Sequence, residues 1–358
     1  MSFKFIEEIS QADPSANTEF GQSIVSTNDK LLVGLKYKKE FAEGKATTND
    51  EKKGSVEYFQ LQNTGRFGVA SHPIVSDGNK LDLNSNVITD QEFATSLFYD
   101  NEDDRLYTGS SGSTTRQGVD IFEFVKEEGS YKKIHHIRQD PNISDFGSSL
   151  CVGRIANEKN PDIFIGAKDD GIYIYRFDTN TNKYKVGHKI DKPSGTGYFG
   201  ASMCMVKKSE RTKDLLLVGN KSANSNNGVV HVYKRSVGSW TKLIDIQPPS
   251  GSPEAFGASL FADGDNVYIG ALGVYTGGDT KGAVHVYKYD TITDDPITTI
   301  RPPARAEVGK RFGSSISVSV EKNNKGKIIK KNVYIGEKWT TVDTFTLSGT
   351  VYRYLKTY

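Results

Sequence analysis

Six serines recur at matched places along the chain and are the first residues to test for chemistry. Ser23, Ser96, Ser149, Ser202, Ser259 and Ser315 each end a Phe-Gly-x-Ser motif, written with Ala94 for the glycine in the second copy. A nucleophilic serine is needed once and requires an adjacent base, so one hydroxyl per motif points to structural hydrogen bonding. Two histidines show the same regularity. His231 and His285 are each the fourth residue of a Gly-x-Val-His-Val-Tyr segment, and the matched places elsewhere hold Glu57, Asp120, Tyr173 and Tyr352. A place that varies among polar types reads as a half-buried surface rather than a ligand or an acid-base position. The sequence has no Gly-x-Ser-x-Gly elbow, no phosphate-cradling Gly-rich loop before a helix and no His-Glu-x-x-His. A non-enzymatic chain without a cofactor is expected.

The two cysteines, Cys151 and Cys204, follow Phe146 and Phe199 by five residues and so hold the same place in neighbouring repeats. No His or acidic ligand pattern surrounds them, which argues for buried thiols rather than zinc.

The elements that position these residues follow from the repeat. Phe20-Gly21, Phe93-Ala94, Phe146-Gly147, Phe199-Gly200, Phe256-Gly257 and Phe312-Gly313 are separated by 73, 53, 53, 57 and 56 residues. Each leads to a second segment resembling Val-Tyr-Ile-Gly-Ala. A period of this size, made from short apolar runs and Gly-rich turns, is that of stacked four-stranded sheets. In the fifth copy Phe256–Phe261 reads as strand one, Asp263–Asn266 as a turn, Val267–Ala271 as strand two, Gly282–Tyr287 as strand three and Ile297–Ile300 as strand four. Second strands such as Ile163–Ile165 and Leu215–Val218 are apolar on both faces, as sheets covered on both sides require. The glycine after each Phe is read as admitting close approach or unusual backbone angles.

The expected fold is all-β: a single domain over residues 1–358, a propeller of six four-stranded blades. Phe3–Glu8 precedes the first motif as an orphan fourth strand, and the chain ends on Gly349–Tyr354, a third strand with none after it. Together they complete one blade and close the ring. Phe67-Gly68 does not open a seventh blade, because only 26 residues separate it from Phe93. Arg66–Ile74 is read instead as strand four of blade one, and 35–53 and 76–91 as long loops.

Lys and Arg number 46 against 44 Asp and Glu, a net charge of +2. No global field attracts nucleic acid or an anionic membrane, and the basic stretches 36–39 and 322–331 read as solvated loops. The amino terminus MSFKFIEEIS has no apolar core of a signal peptide, and no run approaches the length of a membrane span. A soluble chain is expected, synthesised in the cytoplasm, with a virus particle or export by a non-classical route as its open destinations.

Written out, Phe256-Gly-Ala-Ser-Leu, Val267-Tyr-Ile-Gly-Ala and Gly282-Ala-Val-His-Val-Tyr resemble the FG-GAP repeat of integrin α-subunit propellers and of many microbial proteins. The resemblance covers nearly the whole chain in six copies. It implies a propeller used for binding, in adhesion, glycan recognition or assembly. The family pattern often places calcium between strands one and two, with alternating carboxylates and amides. Here Arg154 and Ala156 stand where the first two acidic ligands would be, leaving Glu158 and Asp162, and Lys207 and Lys208 occupy the same region of repeat four. An Arg among carboxylates replaces an ion with a salt bridge, so no metal is expected. Asp100, Glu102 and Asp104 form a weak candidate, read as a solvated acidic turn.

Function is therefore expected on loops. Those joining strand two to three, and strand four to the next strand one, share a rim and are the longest and most irregular. Tyr37, Phe41, Arg116, Tyr275 and Trp339 are its candidate anchors, of the aromatic and Arg types that interfaces favour. The leading expectation is a non-catalytic module for a protein partner. A glycan-binding lectin, or a structural component of a virus particle or surface appendage, is the alternative. Neither nucleic acid nor membrane insertion is expected.

Overall fold

Short apolar runs separated by Gly-rich turns fold this chain into six antiparallel sheets in a ring, as seen in a computed structural model. The structure describes residues 3–10, 19–27, 29–38, 53–69, 75–76, 80–82, 94–111, 118–125, 130–138, 143–154, 160–168, 170–193, 197–206, 214–236, 239–252, 254–273, 281–292, 295–304, 311–338 and 348–358. Among these the only helical element is one 3-10 turn, Tyr289–Thr291. Among the described residues no helix is long and apolar enough to cross a membrane.

Blade four shows the pattern. Phe199–Val206, Leu215–Asn220, Val229–Ser236 and Ser239–Ile246 pair in sequence order, the first nearest the axis and the last outermost. First strands of adjacent blades contact one another all the way round. Blade six is completed by both ends of the chain, Lys4–Ile9 pairing antiparallel with Thr350–Thr357. Blade two departs from the expected count. Its outer strand Ser130–Arg138 pairs with a short hairpin, Val75–Ser76 and Lys80–Asp82, within the segment read from sequence as loop. The hairpin occupies backbone groups that an outer strand otherwise leaves open. Strand four of blade one is described over Phe67–Val69, and residues 70–74 of the expected 66–74 lie outside the described residues.

The Phe of each described motif is fully buried. Phe199, Phe256 and Phe312 pack with tilted rings against the strand-three residue of their own blade, His231 at 5.6 Å, His285 at 5.9 Å and Tyr352 at 5.7 Å between ring centroids, whereas Phe20 packs against Phe59. The matched polar places of strand three are thus sockets for the motif rings. Phe93 lies outside the described residues.

The motif serine fastens each blade to the next. Ser23 Oγ donates to Ala94 O (2.7 Å), Ser96 to Gly147 O (2.9 Å), Ser149 to Gly200 O (2.5 Å), Ser202 to Gly257 O (2.8 Å), Ser259 to Gly313 O (2.7 Å) and Ser315 to Gly21 O (2.5 Å). The last bond closes the ring. Each accepting residue has a left-handed φ, +84° at Gly257 and +61° at Ala94, which turns its carbonyl toward the preceding blade. That carbonyl also lies against the glycine near the end of strand two. A Cβ on Gly219 would overlap both Gly257 O and Ser202 Oγ.

Gly219→Ala is expected to destabilise by about 2 kcal/mol, as overpacking against backbone does. A melt of the variant that overlays wild type would show that the blades do not rely on this approach. Deleting residues 1–10 removes a strand from blade six and exposes the edge of Thr350–Thr357. A loss on the order of 3 kcal/mol or more, with self-association through the edge, is expected. A truncated chain that melts at the same temperature and stays monomeric would contradict closure by both termini.

Candidate binding rim and central channel

The alternation of strand one divides its side chains between the axis and the cores between blades. Ile24, Leu97, Leu150, Met203, Leu260 and Ile316, one per blade, line an axial channel with a cavity of about 400 Å³. Cys151 and Cys204 border the same cavity and join the cores between neighbouring blades. Both cysteines are buried free thiols, as expected from sequence. Burial, and then the nearby Cys151, pushes the Cys204 thiol well above its ordinary value. It is therefore an inert packing group rather than a nucleophile.

At the rim of the strand one to strand two turns, charges are matched across blades. Arg154 of blade three donates Nη2 to Asp100 Oδ2 at 2.8 Å, places Nε 2.8 Å from Glu102 Oε2 and also pairs with Asp103. Asp104 instead accepts from the Tyr99 hydroxyl. The expected solvated acidic turn is corrected: Asp100 is buried, and blade three supplies the cation that holds it. The salt bridge expected of Arg154 within its own loop is instead made across blades, and Asp162 of that loop is bonded by Arg176 Nε at 3.2 Å. Among the described residues no group of three His, Cys, Asp or Glu is placed to hold a metal ion. Glu158, Ala156, Lys207 and Lys208 lie outside the described residues.

Blades five and six are joined similarly. Lys331 Nζ lies 2.7 Å from Asp263 Oδ2, both side chains about 1% exposed, and Tyr268 donates its hydroxyl to the same carboxylate at 2.8 Å. Lys331 belongs to the basic stretch read from sequence as a solvated loop. The structure places it instead in the strand Ile328–Glu337, where a buried carboxylate satisfies its charge.

The opposite rim, that of the long loops, carries a different balance. Tyr198, immediately before Phe199, has a left-handed φ of +58° and is 38% exposed. Lys168 Nζ and Lys221 Nζ lie 4.3 and 4.8 Å from its ring centroid. Lys168 also lies 3.5 Å from Asp145, and Lys338 lies 3.4 Å from Glu19. Burial first, then the cations Lys338, Arg311 and Lys168, lowers the Lys221 ammonium from 10.5 to about 8. Burial also lowers Arg311 to about 10, with Glu19 and Tyr198 acting against it. Lys168 of blade three and Lys221 of blade four thus share the Tyr198 ring, while Lys338 of blade six pairs with Glu19.

Of the anchors expected on this rim, Phe41, Arg116, Tyr275 and Trp339 lie outside the described residues. Tyr37 is placed only by backbone, in the strand Lys30–Lys38. Lys168, Tyr198, Lys221, Arg311 and Lys338 were not singled out in the sequence, yet their places are repetitive. Tyr198 and Arg311 precede the motif Phe; Lys36, Lys168, Lys221 and Lys338 each stand two residues after the strand-two glycine. The histidines read as half-buried surface are in fact buried. His231 Nδ1 lies 2.6 Å from Asp245 Oδ1, and His285 lies between Thr299 Oγ1 (3.0 Å) and Ser252 Oγ (3.1 Å). Burial, then Arg301, holds His285 down at about 4, so it is a neutral packing group at ordinary pH.

Solved structures of the same shape exist at low identity. A DUF4623 family protein from Bacteroides eggerthii is 12% identical, with a TM-score of 0.55 over 99% of this chain and 78% of that one. AofleA from Arthrobotrys oligospora is 11% identical, with a TM-score of 0.54 over 98% of this chain and 86% of that one. A triple arginine-to-alanine variant of AofleA aligns equally well, at 0.55. The fold is a six-bladed β-propeller. Likeness at this identity carries the fold alone. No protein-family model and no curated protein matches the chain.

The Lys221 shift has a measurable consequence. Its proton leaves the folded protein near pH 8 and the unfolded chain near 10.5. Between these values the unfolded state binds more protons, so this group makes stability rise with pH. Wild type is expected to gain stability relative to Lys221→Met from about pH 8 to 10.5 in denaturant titrations. Parallel curves would place the ammonium in free solvent.

Proposed function

We propose that this propeller is a non-catalytic binding module that engages a protein partner through the rim of the strand two to three and strand four to one loops. The carrying observation is the contrast between rims. Blade-to-blade ion pairs absorb the cations Arg154 and Lys331 at the strand one to two turns. The long-loop rim presents the exposed Tyr198 with Lys168 and Lys221 against its ring. An exposed aromatic ring flanked by lysines is of the type that interfaces use. The six-fold resemblance to FG-GAP repeats supports the same reading, since that family uses its propellers for binding. Tyr37, Phe41, Arg116, Tyr275 and Trp339 are the proposed anchors.

The test begins with partners identified by mass spectrometry after capture on the full chain, followed by measured affinities. Tyr275→Ala and Trp339→Ala are each expected to weaken binding by more than about 1 kcal/mol while leaving the melting temperature nearly unchanged. Lost stability with unchanged affinity would assign these residues to packing. Binding confined to a glycan array, with no protein captured, would overturn the protein-partner reading in favour of a lectin.

A further inference from the structure

Closing six blades into a ring leaves a space on the axis, and strand one decides what lines it. Ile24, Leu97, Leu150, Met203, Leu260 and Ile316 border both the cavity of about 400 Å³ and a smaller pocket of about 120 Å³ nearer the long-loop rim, so they form an apolar collar between the two. The smaller pocket is walled by hydroxyls, among them Thr95, Ser148 and Ser314. Each collar side chain keeps 5–9% of its exposure, whereas Ile163, Phe164 and Ile165 of strand two keep none. The collar therefore faces a space that water reaches rather than packed protein. Beyond it the walls of the larger cavity divide by chemistry. Met203, Met205, Cys151 and Cys204 bring four sulfur atoms from blades three and four, and Phe98 and Phe261 come from blades two and five, which stand opposite each other in the ring. Toward the strand one to two rim the polar groups satisfy one another, with Ser26 Oγ 2.8 Å from Ser317 Oγ and Arg154 Nη2 2.8 Å from Asp100 Oδ2. Among the described residues, Asp100 and Arg154 are the charged groups that line this cavity, and they pair with each other. Water enclosed by apolar walls finds few hydrogen-bond partners, and its displacement by apolar surface is favourable.

We propose that the axial cavity is a binding site for a small, uncharged aromatic molecule, held between the sulfur wall of blades three and four and the rings of Phe98 and Phe261. Polarisable sulfur is a favourable neighbour for an aromatic ring, and the two phenyl groups add ring-to-ring contact. The cavity volume is that of an ordinary ligand pocket. A charged ligand is disfavoured, because the collar has no charge to offer and the Arg154 to Asp100 pair at the mouth is already matched. The collar sets the depth of the site and separates it from the hydroxyl-lined pocket. This site lies on the axis, apart from the rim proposed for a protein partner, and does not depend on that reading.

The experiment uses the full chain and N-phenyl-naphthylamine, an uncharged aromatic dye whose fluorescence rises in apolar surroundings. A saturable rise is expected on titration. Met205→Trp and Leu260→Trp add bulk inside the cavity from different blades, and each is expected to weaken dye affinity at least about tenfold. Two variants keep the test decisive if one of them folds poorly, which its melting temperature reveals. Val186→Ser removes a side chain that is 54% exposed on the outer strand of blade three, and it should bind the dye as wild type does. Naphthol should displace the dye, whereas naphthalenesulfonate and decanol should do so at least about tenfold less well. A signal that never saturates, unchanged affinity in both filled variants, or lost affinity in Val186→Ser would overturn the site, the last because it would assign the dye to exposed apolar surface. Decanol as effective as naphthol would overturn the aromatic assignment. Naphthalenesulfonate as effective as naphthol would overturn the preference for an uncharged ligand.

Discussion

One buried hydroxyl, bonded to a carbonyl that only a missing side chain lets approach, fastens each blade to the next. The serine of one blade supplies the hydrogen, and the Phe-Gly carbonyl of the following blade accepts it. The accepting residue turns through a left-handed φ to present that carbonyl. Strand two must then have a glycine where the carbonyl arrives. The net worth of one such bond is about 1 kcal/mol, but leaving the carbonyl buried and unpaired costs more. Repetition round the closed ring makes the constraint cooperative, because no blade can shift without breaking its bond on each side. Ser315 to Gly21 carries that constraint across the two ends of the chain.

The clamp also decides where chemistry is free to vary. Its serine, glycine and Phe are spoken for in every repeat, and the strand-three place beneath the Phe is filled by whichever ring or polar side chain fits the socket. His231 and His285 take that role, which is why a pair of histidines in register need signify no ligand site. The residue before the Phe and the residue two beyond the strand-two glycine are different. Their backbones are fixed by the clamp while their side chains emerge at the rim. Glu19, Asp145, Tyr198 and Arg311 occupy the first of these places; Lys168, Lys221 and Lys338 occupy the second.

Most of the architecture was legible because it is periodic. Blade number, strand order, shared closure and the buried thiols all follow from a motif recurring in register, and the structure agrees. The outer hairpin at Val75–Ser76 and Lys80–Asp82 was not legible, since its strands are two and three residues long and have no period of their own. Arg154 was expected to form a salt bridge with the carboxylates of its own loop, but the carboxylates it meets are Asp100, Glu102 and Asp103 of the neighbouring blade. Sequence shows such residues in turns; only the ring shows which turns meet. The burial of Lys331 escaped for the same reason, its carboxylate lying on another blade at Asp263.

The rim cluster marks the boundary between what a repeat declares and what its closure adds. Each lysine in Gly-x-Lys reads, within its own blade, as one exposed cation after a strand, and such a residue is ordinarily solvated. Four of six repeats have it, counting Lys36. Bringing equivalent positions from different blades to one rim turns a compositional habit into a local field. The Lys221 proton then feels Lys168, which is 53 residues before it, and Lys338, which is 117 residues after it. No contiguous motif encodes such a site. A repeat position with one preferred charge does, once the fold is known to be a closed ring, and on the opposite rim the ring likewise brings Arg154 to Asp100 and Lys331 to Asp263 from neighbouring blades.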